Sequence, residues 1–99
     1  MNQRLIVILG GGSIGKRHAS NFLDLGVKTA LVETKPERQA EILEKFGNHP
    51  NFVGVYSLLN EVPSNNSQPA AVICLPTDLH LKAARECLSR HWPMLIEKP

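Results

Sequence analysis

Short, mainly apolar runs alternate along this chain with stretches in which apolar residues recur at helical spacing. That alternation predicts buried strands joined by amphipathic helices. Residues 4 to 9 are leucine-rich and β-branched without polar alternation, as expected of a central parallel strand covered on both faces. From Ser13 to Leu25 the apolar positions Ile14, Ala19, Phe22, Leu23 and Leu25 fall roughly on one helical face, and Gly26 supplies a stop. Val27 to Val32 predicts a second strand ending at Glu33. A second helix follows, with Pro36 in its first turn, Ala40, Ile42, Leu43 and Phe46 facing inward, and Gly47 as its cap. Asn51 to Tyr56 reads as a short third strand, and Leu58 to Val62 as a helical turn or two.

The polar piece from Pro63 to Pro69 reads as a surface loop. Its Asn65-Asn66-Ser67 matches a glycosylation sequon, a chance match in a chain without a secretion signal. Ala70 to Leu75 predicts a fourth strand, followed by a Pro76-Thr77-Asp78 turn with Thr77 as a helix N-cap. The next helix sets Leu79, Ala83, Ala84, Cys87 and Leu88 against Lys82, Arg85, Glu86 and Ser89, and Pro93 to Ile96 forms a fifth strand. Strands alternating with helices imply an α/β fold, a doubly wound parallel sheet of the Rossmann type in the order 3-2-1-4-5. Residues 1–99 are expected to form one domain.

Composition narrows the function classes. Ninety-nine residues with 42% hydrophobic content suffice for one core but are few for a two-domain enzyme. The formal charge of +2 comes from scattered residues with no basic run and only five aromatics, so nucleic acid is not an expected partner. Cys74 and Cys87 lack metal or redox spacing and read as small buried hydrophobes; no metal site and no disulfide are expected. Only five strongly apolar residues separate Arg4 from the first glycine, too few for a signal peptide or a membrane span, which predicts a cytoplasmic protein.

The chemistry gathers where the first strand ends. Gly10, Gly12 and Gly15 satisfy G-x-G-x-x-G between a strand and a helix, the context that pattern requires for a dinucleotide. Gly10 permits the tight turn, Gly12 lets the backbone approach a pyrophosphate, and Gly15 lets the helix pack on the sheet. Amides near Ser13 and Ile14 would face the phosphates. Glu33, twenty-one residues past Gly12 at the end of the second strand, can accept both ribose hydroxyls of the adenosine. Its charge would repel a 2′-phosphate, which favours NAD over NADP. Lys35 and Arg38 read as surface charges of the second helix, although either could reach such a phosphate, which leaves NADP possible.

Three segments, Gly10-Gly11-Gly12-Ser13-Ile14-Gly15-Lys16-Arg17-His18, Ile73-Cys74-Leu75-Pro76-Thr77-Asp78-Leu79-His80 and Glu97-Lys98-Pro99, together resemble the amino-terminal domain of the glucose-fructose oxidoreductase / inositol dehydrogenase / MocA-like oxidoreductase family. The resemblance covers the whole chain. It implies that Lys98 is a catalytic lysine beside the nicotinamide and the reacting sugar hydroxyl, that Glu97 helps place the nicotinamide ribose, and that Leu75, Pro76 and Thr77 pass over the cofactor. A lysine in that role works best when burial or a positive nicotinamide brings its pKa down from about 10.4 toward neutrality. His80, Arg17 and His18 read equally well as packing or surface residues, and a cis peptide is expected before Pro99. The chain departs from the family in having Arg90-His91-Trp92-Pro93 where a glycine usually ends the helix; His91 is expected to take the left-handed conformation.

Members of the family continue into a second domain that supplies the substrate pocket, so this stretch is expected to be the cofactor-binding fragment of an enzyme and inactive alone. The implied substrate is a sugar, cyclitol or nucleotide sugar. Self-association through an uncovered fifth strand is expected. Two other readings stay open: a non-catalytic dinucleotide sensor, and a Rossmann domain for another nucleotide.

Overall fold

The computed structural model describes residues 3–64 and 67–98. Five strands, β1 (Gln3–Leu9), β2 (Lys28–Val32), β3 (Phe52–Tyr56), β4 (Ser67–Ile73) and β5 (Met94–Ile96), form one parallel sheet in the order β3-β2-β1-β4-β5. Helices α1 (Ser13–Asp24), α2 (Pro36–Phe46) and α3 (His80–Ser89) connect them, with short 3-10 turns at Leu59–Glu61 and Thr77–Leu79. The doubly wound α/β fold predicted from the alternation is the one formed.

Period-two alternation along β1 explains why two layers form. Leu5, Val7 and Leu9 pack with Ala71, Ile73, Leu59, Ala83 and Cys87 on the α3 face. Ile6 and Ile8 pack with Leu31, Val72, Ala19, Leu23, Ile42 and Phe46 on the face covered by α1 and α2. A strand apolar at every position is therefore buried from both sides.

Each helix buries a narrower stripe than its apolar residues suggest. In α1 the inward residues are Gly15, Ala19 and Leu23, while Ile14 and Leu25 are exposed. In α2 they are Ile42 and Phe46, with Ala40 and Leu43 outside; in α3 they are Ala83 and Cys87, with Leu79 and Leu88 outside. The reason is geometric, because only positions three or four apart stay on one face and the flanking leucines lie beyond the contact.

Two other expectations are corrected. Thr77 does not cap α3; it opens the preceding 3-10 turn, and Leu79 stands at the cap position without a side-chain bond. Strand β4 begins at Ser67, inside the predicted loop, and runs through Pro69. The proline is tolerated because the Ala71 amide, two residues on, points toward the Pro93 carbonyl on the β5 side, and β5 pairs only with Ala71 to Ile73. The missing N–H of Pro69 thus faces an open side. The sequon asparagines and the bond before Pro99 lie outside the described residues.

Helix ends follow local chemistry. Gly26, at φ +80, closes α1, with the Gly26 amide bonded to the Leu23 carbonyl and that of Val27 to Phe22. The same double bond closes α3, from His91 to Leu88 and from Trp92 to Cys87, with His91 left-handed at φ 58 as expected. Trp92 and Cys87 then pack together in the α3-face core.

Candidate functional site

All five strands end on one register line. Leu9 pairs with Val32 and Ile73, Val32 with Tyr56, and Ile73 with Ile96. Amides just beyond continue the ladder: Gly10 to Val32, Glu33 to Tyr56, Cys74 to Leu9 and Glu97 to Ile73. The carboxyl edge therefore carries Gly10 near its centre, Glu33 on one side, and Cys74 and Glu97 on the other. From Glu33 to Glu97 is three strand spacings, about 14 Å. A dinucleotide bound across the switch point between β1 and β4 covers such a span.

The three fingerprint glycines have three different physical reasons. Gly10 sits at φ +107, and a Cβ there would meet the Cys74 carbonyl oxygen at 2.7 Å. A Cβ on Gly15 would fall 1.9 Å from the Gly10 carbonyl oxygen, so the first turn of α1 is pressed directly onto the preceding loop. Gly12 is different: its backbone is ordinary, and the nearest protein atom to its Cβ position is Arg38 Nη1 at 3.9 Å. Among the described residues, none requires a glycine there. The space beside it opens into a cleft of about 540 Å³ lined by Gly10, Gly12, Ser13, Ile14, Glu33, Leu75 and Pro76, together with Lys35 and Arg38. The start of α1 has no side-chain cap and no acidic residue in its first turn, leaving its positive end open to an anion.

Glu33 is buried, at 6% exposure, yet charged and bonded. The Gly11 amide donates to Oε1 at 2.7 Å and the Lys35 amide to Oε2 at 2.9 Å, while Arg38 Nη1 stands 3.7 Å from Oε1. Burial alone would raise this carboxyl, but the Lys35 and Gly11 amides, with the Arg38 charge and the Thr34 amide adding, hold it below its usual 4.5. Each oxygen keeps further acceptor capacity, so both ribose hydroxyls of an adenosine can still be received. Gln39 ties this corner together, donating to the Glu33 carbonyl and to Ser57 Oγ.

On the other side of the cleft, Leu75 is half-buried against Gly10, and Pro76 forms part of the wall. Thr77 lies exposed just beyond and does not line the cleft. His80 Nε2 is 2.7 Å from the Leu75 carbonyl oxygen; because a carbonyl only accepts, Nε2 carries the hydrogen, and His80 holds this loop in place. Glu97 is half-buried and bonded to His18 at 2.7 Å. Lys98 is exposed, so the described residues do not supply the burial expected to tune it.

Several residues that build the site were not given these roles from sequence. Gly11 places the amide that holds Glu33, and a Cβ there would strike Ile42 Cδ1 at 2.6 Å. Arg38, read as a surface charge, instead leans over the cleft between Glu33 and Gly12. His18 and His80 stood in recognisable positions, but their partners are set by the sheet register, which the sequence does not display.

The donors present fit a dinucleotide. Gly12 leaves room where a methyl group would intrude, α1 offers uncapped amides, and Glu33 offers a carboxylate at the β2 end of the cleft. A curated relative, a 4-carboxy-2-hydroxymuconate-6-semialdehyde dehydrogenase from a Sphingobium species (strain SYK-6), is 25% identical over 96 residues, covering 95% of this chain. The chain spans 29% of that relative's length. The family model for the Gfo/Idh/MocA oxidoreductases, described as an oxidoreductase family with an NAD-binding Rossmann fold, matches residues 4–99, and the chain belongs to that family.

Proposed function

We propose that this chain is the cofactor-holding part of an NAD-dependent oxidoreductase acting at a hydroxyl-bearing carbon of a sugar, cyclitol or nucleotide sugar. The observation that carries this is the shared carboxyl edge, with Glu33 on one side of the glycine cradle and Glu97-Lys98 on the other. Gly10, Gly12, Ser13, Ile14 and Gly15 form the pyrophosphate cradle, Glu33 receives the adenosine ribose, and Leu75 and Pro76, which line the cleft where Thr77 does not, border the cofactor. Bound NAD supplies a hydride acceptor. Oxidising an alcohol also requires the hydroxyl proton to leave, and Lys98 Nζ is the group that takes it or steadies the developing alkoxide. Glu97 places the neighbouring ribose. The substrate pocket comes from chain outside this stretch, so the 99 residues alone bind dinucleotide and turn nothing over.

Lys98→Ala in the full-length protein tests the assignment. Turnover should fall by at least about a hundredfold, the usual scale for a lost acid–base group, while NAD affinity stays within about twofold. A dinucleotide sensor would be indifferent to the change, and binding of FAD or S-adenosylmethionine in preference to NADH would overturn the cofactor assignment. The relative's name supports a second substrate class, a carboxylated semialdehyde, so the panel should include carboxylated aldehydes beside sugars. Two free thiols, Cys74 and Cys87, support a reducing, cytoplasmic setting. Among the described residues no helix is long and apolar enough to cross a membrane.

A further inference from the structure

The segment bearing Lys98 is weakly held by its own strand. Strand β5 is three residues long, Leu95 and Ile96 are exposed, and the Glu97 amide makes the last rung, to the Ile73 carbonyl at 2.9 Å. Beyond it, among the described residues, one side-chain hydrogen bond holds Glu97-Lys98: His18 Nε2 to Glu97 Oε2 at 2.7 Å, between residues 79 positions apart. A carboxylate only accepts, so Nε2 carries the hydrogen.

His18 stands on a firm base. It lies three residues past Gly15, where α1 is seated against the Gly10 carbonyl, and its ring stacks on Phe22 with centroids 6.5 Å apart. Ala19, its neighbour, is fully buried in the α1-face core. The helix that presents its first amides to the pyrophosphate therefore reaches, one turn later, to the far end of the carboxyl edge.

We propose that His18 is a positioning residue, fixing the Glu97 carboxylate, and with it Lys98, over the half of the dinucleotide remote from Glu33. This presupposes that Glu97 and Lys98 meet the nicotinamide end. Seating the pyrophosphate on α1 and orienting the nicotinamide side then become one mechanical event, because a single helix does both.

Titrations of the full-length protein with NADH and with ADP-ribose, which lacks the nicotinamide, test this. His18→Phe keeps a ring on Phe22 but removes the donor; His18→Gln restores an amide donor. His18→Phe should weaken NADH about tenfold, the scale of a lost charge-assisted hydrogen bond, and leave ADP-ribose within about twofold. His18→Gln should recover most of the NADH affinity. Equal losses for both ligands would mean His18 only supports the helix, and unchanged NADH affinity would mean the bond is idle; either result overturns the proposal. If the unmodified protein binds ADP-ribose as tightly as NADH, the nicotinamide-end assignment of Glu97-Lys98 itself fails and removes the basis for His18, a result separate from any variant. Should His18→Phe fail to fold by circular dichroism, His18→Asn, too short to reach Glu97, must show the same NADH-selective loss or the proposal falls.

Discussion

A single methyl group added at Gly12 or at Gly15 separates the glycine that serves the ligand from the one that serves the fold. At Gly15 the new Cβ lies 1.9 Å from the Gly10 carbonyl oxygen, where ordinary contact needs about 3.5 Å. Helix α1 must retreat by about 1.5 Å, carrying Ala19 and Leu23 off the sheet. Overpacking of this kind costs about 3 kcal/mol, at the upper end because the obstacle is backbone, and alanine's better helix propensity returns about 1 kcal/mol. The net loss of about 2 kcal/mol lowers the thermal midpoint by roughly 10 °C in a domain of this size. At Gly12 the nearest atom is 3.9 Å away and the N-cap backbone is extended at φ −74 and ψ −166, so Gly12→Ala costs about 0.5 kcal/mol and shifts the midpoint by only about 3 °C. Its methyl group nevertheless enters the cleft beside the α1 amides, and NADH affinity should fall at least about tenfold, or 1.4 kcal/mol. Thermal melts and NADH fluorescence titrations of both variants provide the comparison. Equal destabilisation by the two, or undiminished NADH binding by Gly12→Ala, would refute this division of labour.

Three further outcomes follow from particular groups. Because the folded Glu33 carboxyl is held below its usual 4.5, its contribution to stability is fully present above that value and is lost as pH falls through the lower folded value. Glu33→Gln should flatten the acid side of a stability-against-pH curve below about pH 4.5, and an unchanged acid limb would contradict the bonding described for it. The Cys74 thiol is pushed up to about 11 by burial, with the Glu97 charge adding, and burial also raises Cys87, so both should react with a disulfide reagent at pH 8 far more slowly than a free thiol; rapid labelling in the native state would contradict this. The open edge of β5, with Leu95 and Ile96 exposed, should make the 99-residue chain self-associate, and Leu95→Lys should reduce it; a monomer by sedimentation at high concentration would refute the expectation.

The regularity of the alternation made most of the fold legible. Runs such as Leu5 to Leu9 are apolar at every position, as a strand covered on both faces requires, and βαβ connections leave few sheet orders to choose among. Pro69 misled because a proline reads as a loop until one knows which side of the strand its missing hydrogen bond would face. Leu43 and Leu88 misled for a related reason: periodicity marks a face, and only the neighbouring elements decide how wide a stripe is covered.

For the site, the sequence by itself displayed the glycine pattern and the carboxylate at the end of the second strand, each a local signal read over a few residues, while the Glu97-Lys98 pair was marked only by resemblance to the family. Tertiary structure alone decided what they share. The common register line brings Gly10, Glu33, Cys74 and Glu97 to one edge, and bonds such as Gly11 to Glu33 and His18 to Glu97 join residues 22 and 79 positions apart. Local backbone preferences act over a turn or a strand, whereas such pairings follow from the spacing of strands and the seating of α1 on Gly10, quantities that exist only once the sheet has closed against its helices.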